Sequence, residues 1–425
     1  MTLSNQSNNA TETGYAEKRL LVACVRADLL SRSSSELLTQ DSEPVMTSAA
    51  TAGQARRSGD AEAAVHRLAA RPLDWEFVIA AAAENSVMPI AAKQLAAHAA
   101  DLVPAASLEK IKGAARANTL RCLKLTGELL RVLEELRARG IEAIPYKGPV
   151  LAAQAWGDVA MREYEDLDIV LRHRDVPKAD EAMRALGYEA RYPWIHTKRA
   201  EAFVPGEYNY REAEMGIIVE LHTERTMRHF SRAIDLDALA LRLTSVSLSG
   251  HELRTFSPDD LIPILCVHGA KDYWERIIWV ADIAALARRG SGCDWGNVLR
   301  RADEWRAGRM LRIGLALAVS LLGADLPRSV LERVEADETA TAIATERAVA
   351  LLERDTRRMA GAAVFRYRRK MVDGGFAGLR YALRLALAPA EEDWQAAKLP
   401  RGLQPLYAAM RPLRLLKKYG WGGRR

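Results

Sequence analysis

The 425 residues, 49% hydrophobic and only 6% aromatic, are enough to bury a large core in two or three domains, and the abundance of Ala, Leu, Arg and Glu predicts mostly helix. A net charge of +6, from 61 basic against 55 acidic residues, is too modest to require a nucleic-acid partner, and much of the excess lies at 366–370 and after residue 410. Cys24, Cys122, Cys266 and Cys293 stand too far apart for a zinc or disulfide framework, and no window approaches the roughly 18 apolar residues of a membrane span; with a polar N-terminus that lacks a signal core, this predicts a cytoplasmic protein.

In chain order, residues 1–60 read as largely flexible with one helix, EKRLLVACVRADLL, between stretches rich in Ser, Thr, Asn and Gly. Residues 61–140 carry helical patterns: DWEFVIAAAAENS, then MPIAAKQLAAHAA, then a long run from Leu108 to Arg139 stopped by Gly140. IEAIPY follows as a short strand, Lys147-Gly148 as a turn, and PVLAAQAW as a helix that opens on Pro149. In EDLDIVL, strand alternation puts Leu167, Ile169 and Leu171 on one face and Asp166 and Asp168 on the other, where both carboxylates can reach one divalent cation. Asp175 caps a helix that runs to Leu186, Gly187 stops it, and YEARY is extended.

MGIIVELH alternates in the same way: Ile217, Val219 and Leu221 face a core, while Glu220 and His222 share the opposite side. Glu220 is thus a candidate third carboxylate, and His222 reads as a hydrogen-bonded neighbour rather than a ligand. Residues 141–255 form a small α/β sheet unit on this reading, and 256–425, opening on Ser257-Pro258, are helical. His268, Asp272, Trp274, Trp279 and Asp282 fall in one helical region and are expected to pack on the core. The tail from Arg411 to Tyr419 reads either as an amphipathic anchor for an anionic membrane or a partner, or as a solvated or docked terminal helix.

Three residues near the aspartates carry two readings each. Lys147 is a solvated turn lysine or a point charge for a triphosphate, and Gly148 is a loop glycine or the place where backbone N–H groups approach phosphate. Arg162 forms a structural ion pair with Asp166 or Glu163, or meets phosphate or pyrophosphate.

The order of KG, Arg162 four residues before Asp166, DLD, the Gly187-Tyr188 pair and VELH resembles the uncharacterised nucleotidyltransferase family of bacteria, within the DNA polymerase beta-like nucleotidyltransferase superfamily. The resemblance continues through DWEFVIAAAAENSVMPI, HGAKDYWERIIWVADIAAL and RPLRLLKKYG, and so covers nearly everything after residue 60. It implies a helix-rich α+β fold, with a small mixed-sheet nucleotidyltransferase core flanked by N- and C-terminal helical regions. It further implies metal-dependent transfer of a nucleoside monophosphate from an NTP, with ATP expected, to a hydroxyl on a small molecule, peptide or protein. Asp166, Asp168 and Glu220 would be the catalytic and metal carboxylates for Mg2+ or Mn2+, and Lys147, Gly148 and Arg162 the nucleotide contacts. Two departures are Glu220, where the family more often has Asp, and Lys147-Gly148-Pro149 in place of a glycine-serine turn. A nucleotide-binding scaffold with little or no turnover and an AMP-transferring antitoxin are the alternatives left open.

Overall fold

The computed structural model describes residues 3–36, 48–191, 207–223, 234–288, 293–353, 362–387 and 406–419, together with Leu399 and Leu403. Five short strands make a mixed sheet: β1 (Ile144–Pro145), β2 (Asp166–Val170), β3 (Tyr188–Ala190), β4 (Glu207–Glu212) and β5 (Ile218–His222). Their spatial order is β1-β2-β5-β4-β3, with β2 and β5 parallel and the other pairings antiparallel. In the parallel pair Asp168 stands opposite Glu220 and Val170 opposite His222, so the two alternations run in phase.

That phase sorts the sheet into an apolar and a polar face. Leu167, Ile169, Val219 and Leu221 are fully buried, and they pack with Leu129, Val132 and Leu136 of the long helix Ala105–Ala138 and with Ala179 and Met183 of the helix Val176–Ala185. Each large side chain withdrawn from water in this way contributes roughly 1.5–3 kcal/mol, which pins the register and leaves the acidic residues no choice of side. The Gly140 and Gly187 turns that end these two helices have φ of +72° and +85°, as an L side chain would resist.

The polar face is roofed by helices from both ends of the chain. Pro258–Lys271 and Ile277–Arg288 belong to the larger core, together with Met88–His98 and Gly308–Leu322. The ring of Trp274 seals this core against Gly269 and Gly314, where an added Cβ would lie 2.4 Å and 2.8 Å from the indole. Asn85, just after the helix Trp75–Glu84, accepts from the backbone N–H of Ile277 through its side chain (3.2 Å) and from that of Ile278 through its carbonyl (3.3 Å). The segments DWEFVIAAAAENS and HGAKDYWERIIW, almost two hundred residues apart, therefore meet above the sheet.

Three features differ from the sequence reading. The first 60 residues hold two helical stretches rather than one, Leu3–Glu36 and the start of Ser48–Ala69, because Leu20, Leu21, Cys24 and Val25 from the first and Val65 and Ala69 from the second enter the main core. Strand β4 was not expected, although Tyr208 and Tyr210 alternate into the core in the manner of a half-buried strand. A hairpin of β6 (Thr244–Leu248) and β7 (His251–Thr255) was also missed; it turns on Ser249-Gly250, both at positive φ. Among the described residues no helix is long and apolar enough to cross a membrane.

Candidate active site

The chain enters the site at Tyr146, whose N–H donates to the Asp168 carbonyl, and turns at Lys147-Gly148 into the short helix Gly148–Leu151. Gly148 has φ of +56°, and a Cβ there would sit 3.2 Å from the Asp166 carbonyl oxygen. Both constraints favour glycine, and their effect is to hold the turn against β2 so that Lys147 points across the strand. A turn of π-helix, Ala152–Trp156, follows and carries the Trp156 ring towards the roof.

Asp168 is the hub. Its Oδ1 accepts from Lys147 Nζ at 3.1 Å and lies 3.0 Å from His222 Nε2. The imidazole nitrogen is also 3.5 Å from Glu220 Oε2. Among the described residues, Asp168, Glu220 and His222 each offer a ligand atom within 4.8 Å of the others. The Tyr146 ring, fully enclosed, packs edge-on against His222 with 5.7 Å between ring centres, and Lys147 Nζ sits 5.2 Å above that same tyrosine.

The electrostatics follow from this geometry. Burial opposes the charge of Asp168, but Lys147 and the His222 hydrogen bond outweigh it and hold the carboxyl well below its ordinary range. Burial likewise opposes charge on His222, yet its bonds to Asp168 and Glu220 raise it to about 9. Lys147 is pulled down by burial and raised further by Asp168. Asp166 goes the other way: burial, then the neighbouring charges of Asp168 and Glu220, lift it to about 6.

Arg162 is placed differently from either structural option read from the sequence. Its Nε donates to Asp282 Oδ2 at 3.0 Å, and Trp156 Nε1 donates to Asp282 Oδ1 at 2.9 Å. Glu163 accepts from the backbone N–H of Met88 at 3.0 Å and so serves the start of the helix Met88–His98. The Arg162–Asp282–Trp156 group thus ties β2's approach to the roof helix Ile277–Arg288, while the guanidinium still borders the cleft.

The cleft between sheet and roof has a volume of about 580 Å³, and Lys147, Arg162, Asp166, Asp168, Glu220 and His222 all line it. Gly148 is buried behind Lys147. The roof adds His268, Lys271, Arg276 and Trp279, which the sequence reading had assigned to core packing or passed over. His268 meets Trp279 edge-on at 5.3 Å and Asp272 at 3.4 Å, whereas Trp274 and Asp282 are buried. Helical spacing alone does not separate a residue facing the core from one facing a cleft in that core, so only the position of the sheet beneath identifies these four.

The donor set suits a divalent cation. Two carboxylates and an imidazole within 4.8 Å of one another match the span of ligands around a small ion, and Asp166 lines the same cleft outside that group. Residues 71–323 match a family model described as uncharacterised nucleotidyltransferase, a span that includes the sheet, the cleft and its roof. No curated protein matches the chain. Solved structures with some likeness include an antigenic nucleotidyltransferase-like protein from Paracoccidioides brasiliensis, at 16% identity and a TM-score of 0.34 over 48% of this chain and 94% of that one. Another is the antibiotic-resistance factor ANT(2'')-Ia, at 11% identity and a TM-score of 0.28 over 54% of this chain and 95% of that one.

Proposed function

The chain belongs to the uncharacterised nucleotidyltransferase family, and from that premise we propose that it moves a nucleoside monophosphate from a nucleoside triphosphate, ATP in the first instance, to a hydroxyl of a small molecule, peptide or protein. The observation that carries this reading is the convergence of Asp168, Glu220 and His222 with Lys147 in one cleft over a parallel strand pair.

Asp166, Asp168 and Glu220 would hold magnesium or manganese, and His222 is a further donor whose imidazole favours manganese more than an all-oxygen set does. The cation, when bound, neutralises phosphoryl charge as pyrophosphate departs. The protein's own groups do the rest. Lys147 offers its ammonium to the β and γ phosphates, and Arg162, steadied by Asp282, presents a second fixed charge at the cleft wall. The acceptor oxygen bonds to the α-phosphorus while the bond from that phosphorus to the β-phosphate bridge breaks. Glu220, on the more open side of the cluster, receives the hydroxyl proton.

A second reading, a nucleotide-binding scaffold without turnover, draws on Asp168 being satisfied by the Lys147 and His222 side chains. Labelled ATP separates the two. In a cell extract supplemented with the protein and Mg2+ or Mn2+, label in the α-phosphate is expected to pass to an acceptor, and label in the γ-phosphate is not. Transfer from the γ position alone would mark a kinase, and transfer from neither, across several nucleotides and metals, would leave the scaffold.

A further inference from the structure

We propose that the C-terminal helices dock the protein on an anionic lipid surface. Residues 362–425 hold 14 Lys and Arg against 4 Asp and Glu, a surplus of ten, so the first 361 residues are net acidic by four. The chain's whole basic character therefore resides in this segment. The same segment exposes apolar side chains: of the 13 large hydrophobic residues standing in solvent among the described residues, seven are Phe376, Leu379, Leu383, Leu387, Leu403, Leu406 and Leu413.

Their arrangement is regular. On the helix Gly375–Leu387, at about 100° per residue, Phe376, Leu379, Leu383 and Leu387 fall within an arc of about 80°, and Arg380 and Arg384 flank it on one side. Tyr381 and Ala382 on the far side are buried, so this helix is anchored by one face and offers the other. The helix Leu406–Tyr419 packs against it and repeats the pattern: Leu406 and Leu413, two turns apart, are exposed, while Tyr407 is buried. Phe376 at 79% and Leu413 at 68% exposure cost the isolated protein contact with water that a bilayer interface removes.

Charge decides the occupant. An apolar row beside arginines fits the boundary between acyl chains and anionic headgroups, because an arginine stem can lie along apolar surface while its head reaches a headgroup. A nucleic acid would use the charges and gain nothing from the leucines, and a second copy would bring one surplus of ten against another. The inference is independent of nucleotide transfer.

The test is co-sedimentation of the full chain with vesicles of phosphatidylcholine alone or with roughly a third phosphatidylglycerol. Binding is expected to the anionic vesicles and to weaken at high salt. Phe376→Ser with Leu383→Ser should lower it at least about tenfold, and Arg380→Gln with Arg384→Gln about fivefold per charge. Circular dichroism and a nucleotide titration verify that both variants keep the fold. Failure of the intact protein to bind anionic vesicles overturns the proposal, as does binding that ignores the Phe376 and Leu383 changes. So does a lipid-free dimer that Phe376→Ser dissolves, which would identify a second copy as the occupant.

Discussion

Glu220→Gln is expected to lower nucleotide transfer by about a hundredfold or more while thermal unfolding shifts by no more than about 2–4 °C. Glu220 faces the cleft opposite Asp168 in the parallel register, its oxygen 3.5 Å from His222, and no lysine or arginine is held by it in an ion pair among the described residues. Glutamine keeps the size and a hydrogen-bonding oxygen, so the loss falls on charge that matters to bound metal and substrate. Glu220→Asp should retain activity, because a carboxylate one methylene shorter still faces the cluster. Asp168→Asn makes the contrast: it should abolish transfer and also destabilise the fold, since it strips the counter-charge from the enclosed Lys147. Rates from the α-label assay beside unfolding curves verify the pattern. Full turnover in Glu220→Gln would remove that residue from the chemistry.

The largest stability effect is expected at Asp282. Asp282→Ala should cost about 3–5 kcal/mol in urea denaturation, because it leaves Arg162 charged inside the protein and takes the acceptor from Trp156 Nε1 as well. Arg162→Met combined with Asp282→Leu should restore the part of that loss that belongs to the uncompensated charge, while Trp156 Nε1 stays without its acceptor. If the stable double variant binds ATP as the parent does, Arg162 is purely a strut. If its affinity falls at least about tenfold, the guanidinium also meets phosphate. A loss below about 1 kcal/mol in Asp282→Ala would show that water reaches the pair.

What the sequence made legible is what local chemistry determines. DLD and VELH could be read as strands with an acidic side because a half-buried strand repeats every second residue, and the Gly140 and Gly187 stops follow from helix ends that need positive φ. Pairings across the chain were not legible. Arg162 finds Asp282 120 residues away, and nothing in the residues around Arg162 distinguishes that partner from Asp166 or Glu163. Lys147 reaches Asp168 because β1 runs antiparallel to β2 in one register, a fact of the sheet rather than of the turn. His222 was placed on the correct side of its strand, but its share in the cluster emerged only when β5 was laid parallel to β2.

The parallel pairing of β2 with β5 also makes the cleft a late product of folding. Strands β4 and β5 are joined by a short turn and can zip together locally, as β6 and β7 can. A parallel neighbour must instead wait for the intervening chain to close a large loop, and Asp168 and His222 are 54 residues apart. A ribosome-bound chain that has delivered both aspartates still lacks the strand that completes their surroundings. The roof arrives later again, with Pro258–Lys271 and Ile277–Arg288. Unfinished or truncated chains ending before these helices hold the carboxylates and the imidazole but lack the roof of the cleft, and are expected to be silent at this site.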